Sequence, residues 1–407
     1  MNASDRFGAL RRPEFISLLA LSMALGALGI DIMLPGLGAI RSELGLAPDA
    51  TAVSGLVTSY LVGMAFGSLF FGPLSDRFGR KPTLFIGFAI YFVGAAAATF
   101  GVSLTLLLAS RFVWGFGSAG ARVVAIAAIR DTHTGEEMSR AMSFIMAVFV
   151  LVPIGAPLLG GGILTVASWR WIFGVCVAAV VLMALWATRL PETHAPQHRM
   201  ELSLRRVGIA ARFIIHDRQA VGYTIAMTML YGAFLSYLAS SELIVSDAFG
   251  RRALFPVVFA SLAAVMGSAM LANARLVRAF GTARVAVITM RIYVVLAVGL
   301  VLVALAYSQR PPFWLFLVGT GAVLVTHAIL IPNFNALAMT NMAPVAGTAA
   351  SVIAATHVAL GAGLGAIVDR AYQGTVMPLW VGFAGYGIVA LIVSRATGKI
   401  HSVSARS

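Results

Sequence analysis

The chain has one cysteine, Cys176, in 407 residues, so no disulfide can form within it and no Cys-x-x-Cys redox or metal motif exists. Charge is scarce too: 11% of residues are charged, and lysine is confined to Lys81 and Lys399. No glycine-rich loop ending in Lys-Ser or Lys-Thr occurs, which argues against ATP-driven chemistry in this chain. Neither a His/Cys cluster nor a nucleophile beside a base stands out. The sequence does not read as an enzyme, and it calls for no metal or other cofactor.

What is present is apolar. Hydrophobic residues make up 60% of the chain, mean hydropathy is +0.93, and runs of about 20 apolar residues recur from end to end, the length that crosses a bilayer as a helix. Backbone polar groups in hydrocarbon must be satisfied within a helix or a closed barrel, and these runs are too long and too uniformly apolar for alternating barrel strands. The expected fold is an all-α membrane protein. Twelve spans are predicted at 15–37, 52–72, 83–101, 104–130, 141–165, 170–188, 219–243, 254–273, 284–307, 312–333, 346–367 and 376–395. The first run follows Arg11 and Arg12 but exceeds a signal-peptide core, and it reads as a retained helix.

The net charge of +14 does not form a soluble basic face of the kind that binds nucleic acid, because the arginines sit between hydrophobic runs. With both termini in the cytoplasm, only Arg41, Arg170, Arg251, Arg252, Arg310 and Arg370 of the 29 basic residues fall in outward segments. Positive charge is retained on the inner side of membranes, so that orientation is expected, in a bacterial inner membrane.

The longest polar stretch, Ala187 to Gln219, divides the chain near its midpoint and suggests residues 1–188 and 219–407 as six-helix halves joined by a linker at 189–218. Leu202, Val207, Ile209 and Phe213 alternate there with Arg205, Arg206 and Arg212, which suits either a basic amphipathic helix on the inner leaflet or a solvated linker. A weak repeat relates the halves: "LSDRFGRK" (Leu74–Lys81) has an eroded counterpart in "LVRAFGTAR" (Leu276–Arg284). Pseudo-symmetric halves around a central cavity are the architecture of many secondary transporters.

Two ionisable residues stand out inside spans. Asp31, in "LGIDIMLPG", is the only charge between Phe15 and Ile40, and Arg111 sits about seven residues into the fourth span. Charges at such depth are costly unless paired or hydrated. The two lie at similar depth, so either they pair across a cavity or each is solvated in it. Arg122 is three helical turns beyond Arg111 and extends a basic stripe or snorkels to the inner headgroups. Glu242, near the outer end of the seventh span, is interfacial or lines the substrate path. His327 and His357 are bonded neutral side chains or titrating groups. Tyr60, Trp114, Met146 and Tyr231 suit an apolar pocket as well as ordinary packing.

The loop "GPLSDRFGRKP" mixes both charge signs with helix breakers: Gly72 and Pro73 are expected to end the second helix, and Gly79 to make a close turn. Here the chain resembles the major facilitator superfamily, whose signature G-x-x-x-D-R-x-G-R-K is met at Gly72, Asp76, Arg77, Gly79, Arg80 and Lys81. The resemblance implies a conformational latch in which Asp76 reaches toward the start of the eleventh helix near Gly347 and Arg80 reaches Asp131. "LLASRFVWGFGSAGA" (Leu107–Ala121) resembles the family's fourth-helix pattern. "LVPIGAPLLGGGI" (Leu151–Ile163), with Pro153, Gly155, Pro157, Gly160 and Gly161, resembles the fifth-helix pattern of its drug/proton antiporters. Together with "DIMLPG" these are similar to the branch of bicyclomycin and chloramphenicol exporters.

The resemblance implies proton-coupled multidrug efflux by alternating access and hence antibiotic resistance, with Asp31 and Arg111 coupling protons to export of small, mainly lipophilic drugs by a monomer. The alternative is proton-coupled export of a native metabolite such as a sugar or amino acid derivative.

Overall fold

The structure, a computed structural model, describes residues 10–47, 51–194, 197 and 204–404. Only helices and turns occur among them, and twelve helical segments are long and apolar enough to span a membrane. The helices are α1 (Arg12–Asp31), α2 (Leu37–Glu43), α3 (Gly55–Phe78), α4 (Arg80–Thr99), α5 (Leu104–Thr132), α6 (Gly135–Leu164), α7 (Arg170–Ala187), α8 (Leu204–His216), α9 (Arg218–Leu243), α10 (Phe255–Phe280), α11 (Thr282–Ala306), α12 (Phe313–Ala338), α13 (Ala346–Arg370) and α14 (Met377–Ser404).

The chain divides into two compact units, one of Met1–Leu46 with Ser59–Leu204, the other of Ala47–Thr58 with Arg205–Ser407. The start of α3 and the short 3₁₀ turn Thr51–Ser54 before it therefore belong to the second unit.

In the first unit α5 packs on α1, α3 and α4. Its small residues make this possible: a Cβ at Gly115 would collide with the Tyr60 carbonyl of α3, and one at Gly117 with the Tyr91 backbone of α4. The first span is not one helix. α1 stops at Asp31, a 3₁₀ turn follows at Leu34–Gly36, and α2 carries on to Glu43, because Pro35 lacks the N–H that would bond the Asp31 carbonyl. In the second unit α9 is the central helix, flanked by α12, α13 and α14. Buried Asn333 donates to Asn273 at 2.8 Å to join α12 to α10, and Trp380 of α14 donates to Thr320 of α12 at 3.2 Å.

The expectation that Gly72 and Pro73 end the second helix is overturned. Pro73 lies inside α3, which runs on to Phe78. The turn is made at Gly79, with φ 100° and ψ 168°, a backbone region open essentially to glycine alone. Gly281, between α10 and α11, has φ 79° and ψ 149°. The Phe-Gly pairs matched by the weak repeat thus form equivalent joints in the two units.

Within the polar stretch at mid-chain, α8 spans Leu204–His216. Ile209 and Phe213 are exposed on it while Ala210 and Ile214 are buried. Leu202 lies outside the described residues, as do the Arg205 and Arg206 side chains.

Candidate functional site

The first unit holds an arginine-centred cluster at the break in the first span. Arg111 on α5 is fully buried, and its Nη1 donates to the Gly29 carbonyl of α1 at 2.7 Å. The last carbonyls of a helix lack intrahelical donors, and a cation there also complements the helix dipole. Arg111 thereby acts as a side-chain cap on α1, two residues before Asp31. Its guanidinium stacks over the rings of Tyr60, at 4.3 Å, and Trp114, at 4.7 Å.

Those rings are held in turn. Tyr60 donates to the Gly26 carbonyl at 3.0 Å and Tyr91 to the Leu25 carbonyl at 3.2 Å, while Trp114 meets Tyr60, Tyr91 and Phe173 edge-on. Tyr60 and Trp114, considered from the sequence as pocket residues, are fully buried as walls of the Arg111 cage.

Asp31 is buried at 6% exposure on the last residue of α1. No Asp31–Arg111 ion pair occurs among the described residues; Arg111 reaches a backbone carbonyl of the same helix end. α6 closes the other side of the break. Gly160 is buried there, and a Cβ on it would collide with the Ile32 carbonyl, whereas Gly155 has open space around its Cα. α6 itself runs through Pro153 and Pro157 without interruption. Gly160 is thus pressed against the turn that follows Asp31. Met146 on α6, Gly161 and Arg122 on α5 are each half-buried.

At the other end of this unit Arg80 ties three helices together. Its Nε donates to Asp131 of α5 at 2.7 Å, and its Nη1 donates to Asp76 of α3 at 2.7 Å and to Ser75 at 2.8 Å. Arg77 is exposed, its guanidinium 5.3 Å from the Phe78 ring.

Glu192, which was not among the sequence candidates, completes this network. Gly79 has no side chain with which to cap α4, so the cap comes from elsewhere: Glu192 accepts from the Arg80 N–H at 2.8 Å and the Lys81 N–H at 3.1 Å. Its carboxylate fills the space a Cβ on Gly79 would need. The His194 N–H also donates to Glu192, at 2.9 Å, and Lys81 Nζ donates to the Thr188 carbonyl at 2.7 Å. Thr188, Glu192 and His194, assigned from sequence to the end of a helix and a linker, are part of this hydrogen-bond network. The available signal was a carboxylate four residues after the predicted end of the sixth span.

Comparison with known proteins decides the family. The sequence profile described as Major Facilitator Superfamily matches residues 15–366. This chain belongs to the major facilitator superfamily. It is 29% identical to the "Bicyclomycin resistance protein homolog" of Haemophilus influenzae, over 90% of this chain and 91% of that protein. It is 28% identical to "Multidrug resistance protein MdtL" of Klebsiella pneumoniae, over 90% of this chain and 91% of that one. The xylose transporter XylE from E. coli, in a partially occluded inward-open conformation, superposes with a TM-score of 0.74 over 95% of this chain and 97% of its own, at 13% identity, a likeness of fold alone. The protein is a twelve-span membrane transporter, not an enzyme.

In the second unit of this superfamily member, Glu242 is buried at 2% exposure and accepts from Ser246 at 2.9 Å. That bond spans the junction where α9 passes into a π-helical turn, Ile244–Ala248. Tyr231 packs on His357 at 4.6 Å, and Phe234 stacks on His327 at 4.9 Å. A second acidic residue was missed: Asp369, buried at 4% exposure in the last turn of α13, two residues beyond the predicted end of the eleventh span.

Proposed function

We propose that this transporter exports small, mainly lipophilic drugs in exchange for protons, by alternating access, with Asp31 as the proton-carrying group and Arg111 as its electrostatic support. The likeness to bicyclomycin- and multidrug-resistance proteins over nine-tenths of the chain supports the substrate class. The observation that carries the coupling role is a carboxyl buried at the broken end of α1, with a caged guanidinium fixed two residues away.

Proton affinity of a carboxyl depends on whether water and neighbouring charge reach it. Arg111 holds the end of α1 by a carbonyl and leaves the Asp31 carboxyl outside an ion pair, so access of water to the turn at residues 32–36 can change its protonation. Substrate and proton then compete for one conformational cycle. The Arg80 network and its Glu192 cap act as the latch that sets the rate of exchange between states. The protein is further proposed to work as a monomer in the bacterial inner membrane, with both termini cytoplasmic, as the distribution of arginine favours.

The test is substrate-induced proton release from proteoliposomes. Asp31→Asn should abolish uphill, proton-driven export of cationic and neutral drugs alike while downhill exchange persists. Normal proton release by Asp31→Asn on substrate addition would overturn the assignment.

A further inference from the structure

At 13 residues, α8 is too short to span a bilayer, and the transport cycle proposed above makes no use of it. A single residue, Asp217, joins it to the membrane-spanning α9, and the Asp217 backbone is extended, with φ −94° and ψ 107°. An extended residue cannot continue a helix. The axis of α8 therefore ends where that of α9 begins.

The corner between them is fastened on several sides. The Asp217 carboxylate accepts from the Ala220 N–H at 2.7 Å, which caps α9, and from the Asn341 amide at 2.8 Å. Gln219 donates to the Leu337 carbonyl at 2.9 Å and to the Thr340 hydroxyl at 3.3 Å. The span that begins with α9 and the span that ends with α12 thus meet at this corner, which sets it at one boundary of the membrane. From there α8, about 20 Å long at its helical rise, runs along that boundary or out into water.

The sides of α8 decide between the two. Ala210 and Ile214 are buried, whereas Ile209 is 50% and Phe213 39% exposed. Four residues apart, Ile209 and Phe213 lie one above the other and form an apolar strip. In water that strip stays hydrated; in the headgroup region of a bilayer it is covered.

The charge beside the strip is of one sign. Residues 204–218 contain Arg205, Arg206, Arg212 and Arg218 against a single acid, Asp217, whose carboxylate is taken up by the corner. Arg212 and Arg218 are exposed and form no ion pair among the described residues. His216 adds no counter-charge, and its ring donates to the Arg212 carbonyl at 2.7 Å to close the last turn. Arginine lays its stem along apolar surface and keeps its head among polar groups. A partner that is apolar within and negatively charged at its surface satisfies both features, and a leaflet containing anionic phospholipid has that chemistry.

We propose that α8 docks on the leaflet at which α9 begins and binds anionic phospholipid there, with Ile209 and Phe213 inserted below the headgroups and Arg212 and Arg218 among them. This surface is separate from the proton and drug reading above and does not rest on it.

The experiment places a nitroxide, itself apolar, at Ile209→Cys in a Cys176→Ser background, on full-length protein held one copy to a lipid nanodisc. Collision of the label with oxygen, which concentrates in hydrocarbon, is compared with collision with a water-soluble nickel chelate. When phosphatidylcholine is replaced by a mixture containing about one-third phosphatidylglycerol, the oxygen-to-nickel ratio should rise at least about threefold, and about 0.5 M salt should reverse the rise. Arg212→Gln combined with Arg218→Gln should abolish it, and because both side chains are exposed and outside any ion pair, that variant should fold. Phe213→Ser should lower the ratio in the mixed lipid at least about twofold. A label equally wet in both lipids, a label equally buried in both, or a rise that survives salt, the double arginine variant or Phe213→Ser would each overturn the proposal. Burial seen only in discs holding two copies would assign the strip to a second copy of the chain and overturn it as well.

Discussion

Arg111 and Gly29 are joined by a 2.7 Å hydrogen bond in the last turn of the first transmembrane helix. The sequence left open whether Arg111 pairs with Asp31 or is solvated apart from it, and its Nη1 reaches a backbone carbonyl. The cation is placed on the backbone, so under the proposed coupling role Asp31 can change its protonation without dismantling this anchor.

Removing that anchor should be costly. Arg111→Ala is expected to destabilise the first unit by about 3 kcal/mol, because it opens a cavity in the aromatic cage and strands a buried carbonyl. Arg111→Lys keeps the charge but loses the planar surface that stacks on Tyr60 and Trp114, so a smaller loss is expected. Thermal unfolding in detergent should rank the proteins wild type, Lys, Ala, and drug-dependent proton release should follow the same order.

Gly160 and Gly155 should respond oppositely to one added methyl group. Gly160→Ala drives a Cβ into the Ile32 carbonyl beside Asp31, and an overpacking cost of about 1–3 kcal/mol with reduced transport is expected. Gly155→Ala meets open space and should transport as wild type. Similar transport rates for the two in reconstituted vesicles would show that the fit of α6 against the Asp31 turn is not what the motif provides.

Glu192→Gln should loosen the latch without unfolding the protein. The amide keeps one acceptor for the N–H groups of Arg80 and Lys81 but loses the charge that complements the start of α4, a change worth about 1 kcal/mol. Backbone hydrogen exchange at residues 80–83 should accelerate, and transport should become less sensitive to ionic strength. Unchanged exchange at those amides would remove Glu192 from the latch.

Asp76→Asn is expected to slow transport while the protein still inserts in the membrane. The Asp76 side chain is 41% exposed, so the effect on stability should stay within about 1 kcal/mol, and the change should appear in the turnover rate. Wild-type turnover in vesicles would exclude the latch role.

The twelve spans were legible because each depends on a run of apolar residues, which composition records directly. The Gly79 turn was legible because glycine marks a backbone conformation other residues avoid. Three features were not. The partner of Arg111 is a backbone carbonyl, which every residue has and no sequence pattern singles out. Glu192 acts on N–H groups a hundred residues earlier in the chain, so nothing local marks it as a cap. Asp369 escaped because hydropathy ended its span at residue 367, while the helix keeps its carboxyl inside for one more half-turn. Pro73 misled in the other direction: a proline suggests a break, yet α3 absorbs it.

The matching joints at Gly79 and Gly281 give the molecule its own control experiment. The same backbone turn occurs twice, with Asp76, Arg80 and Lys81 around one copy and Arg278, Thr282 and Ala283 at the corresponding places around the other. Temperature, bilayer thickness and helix strain act on both copies, whereas added salt or a lost carboxylate weakens attraction at the first alone. Any difference in mobility between the two turns, followed as conditions are varied, therefore isolates the contribution of charge from that of shape within a single polypeptide.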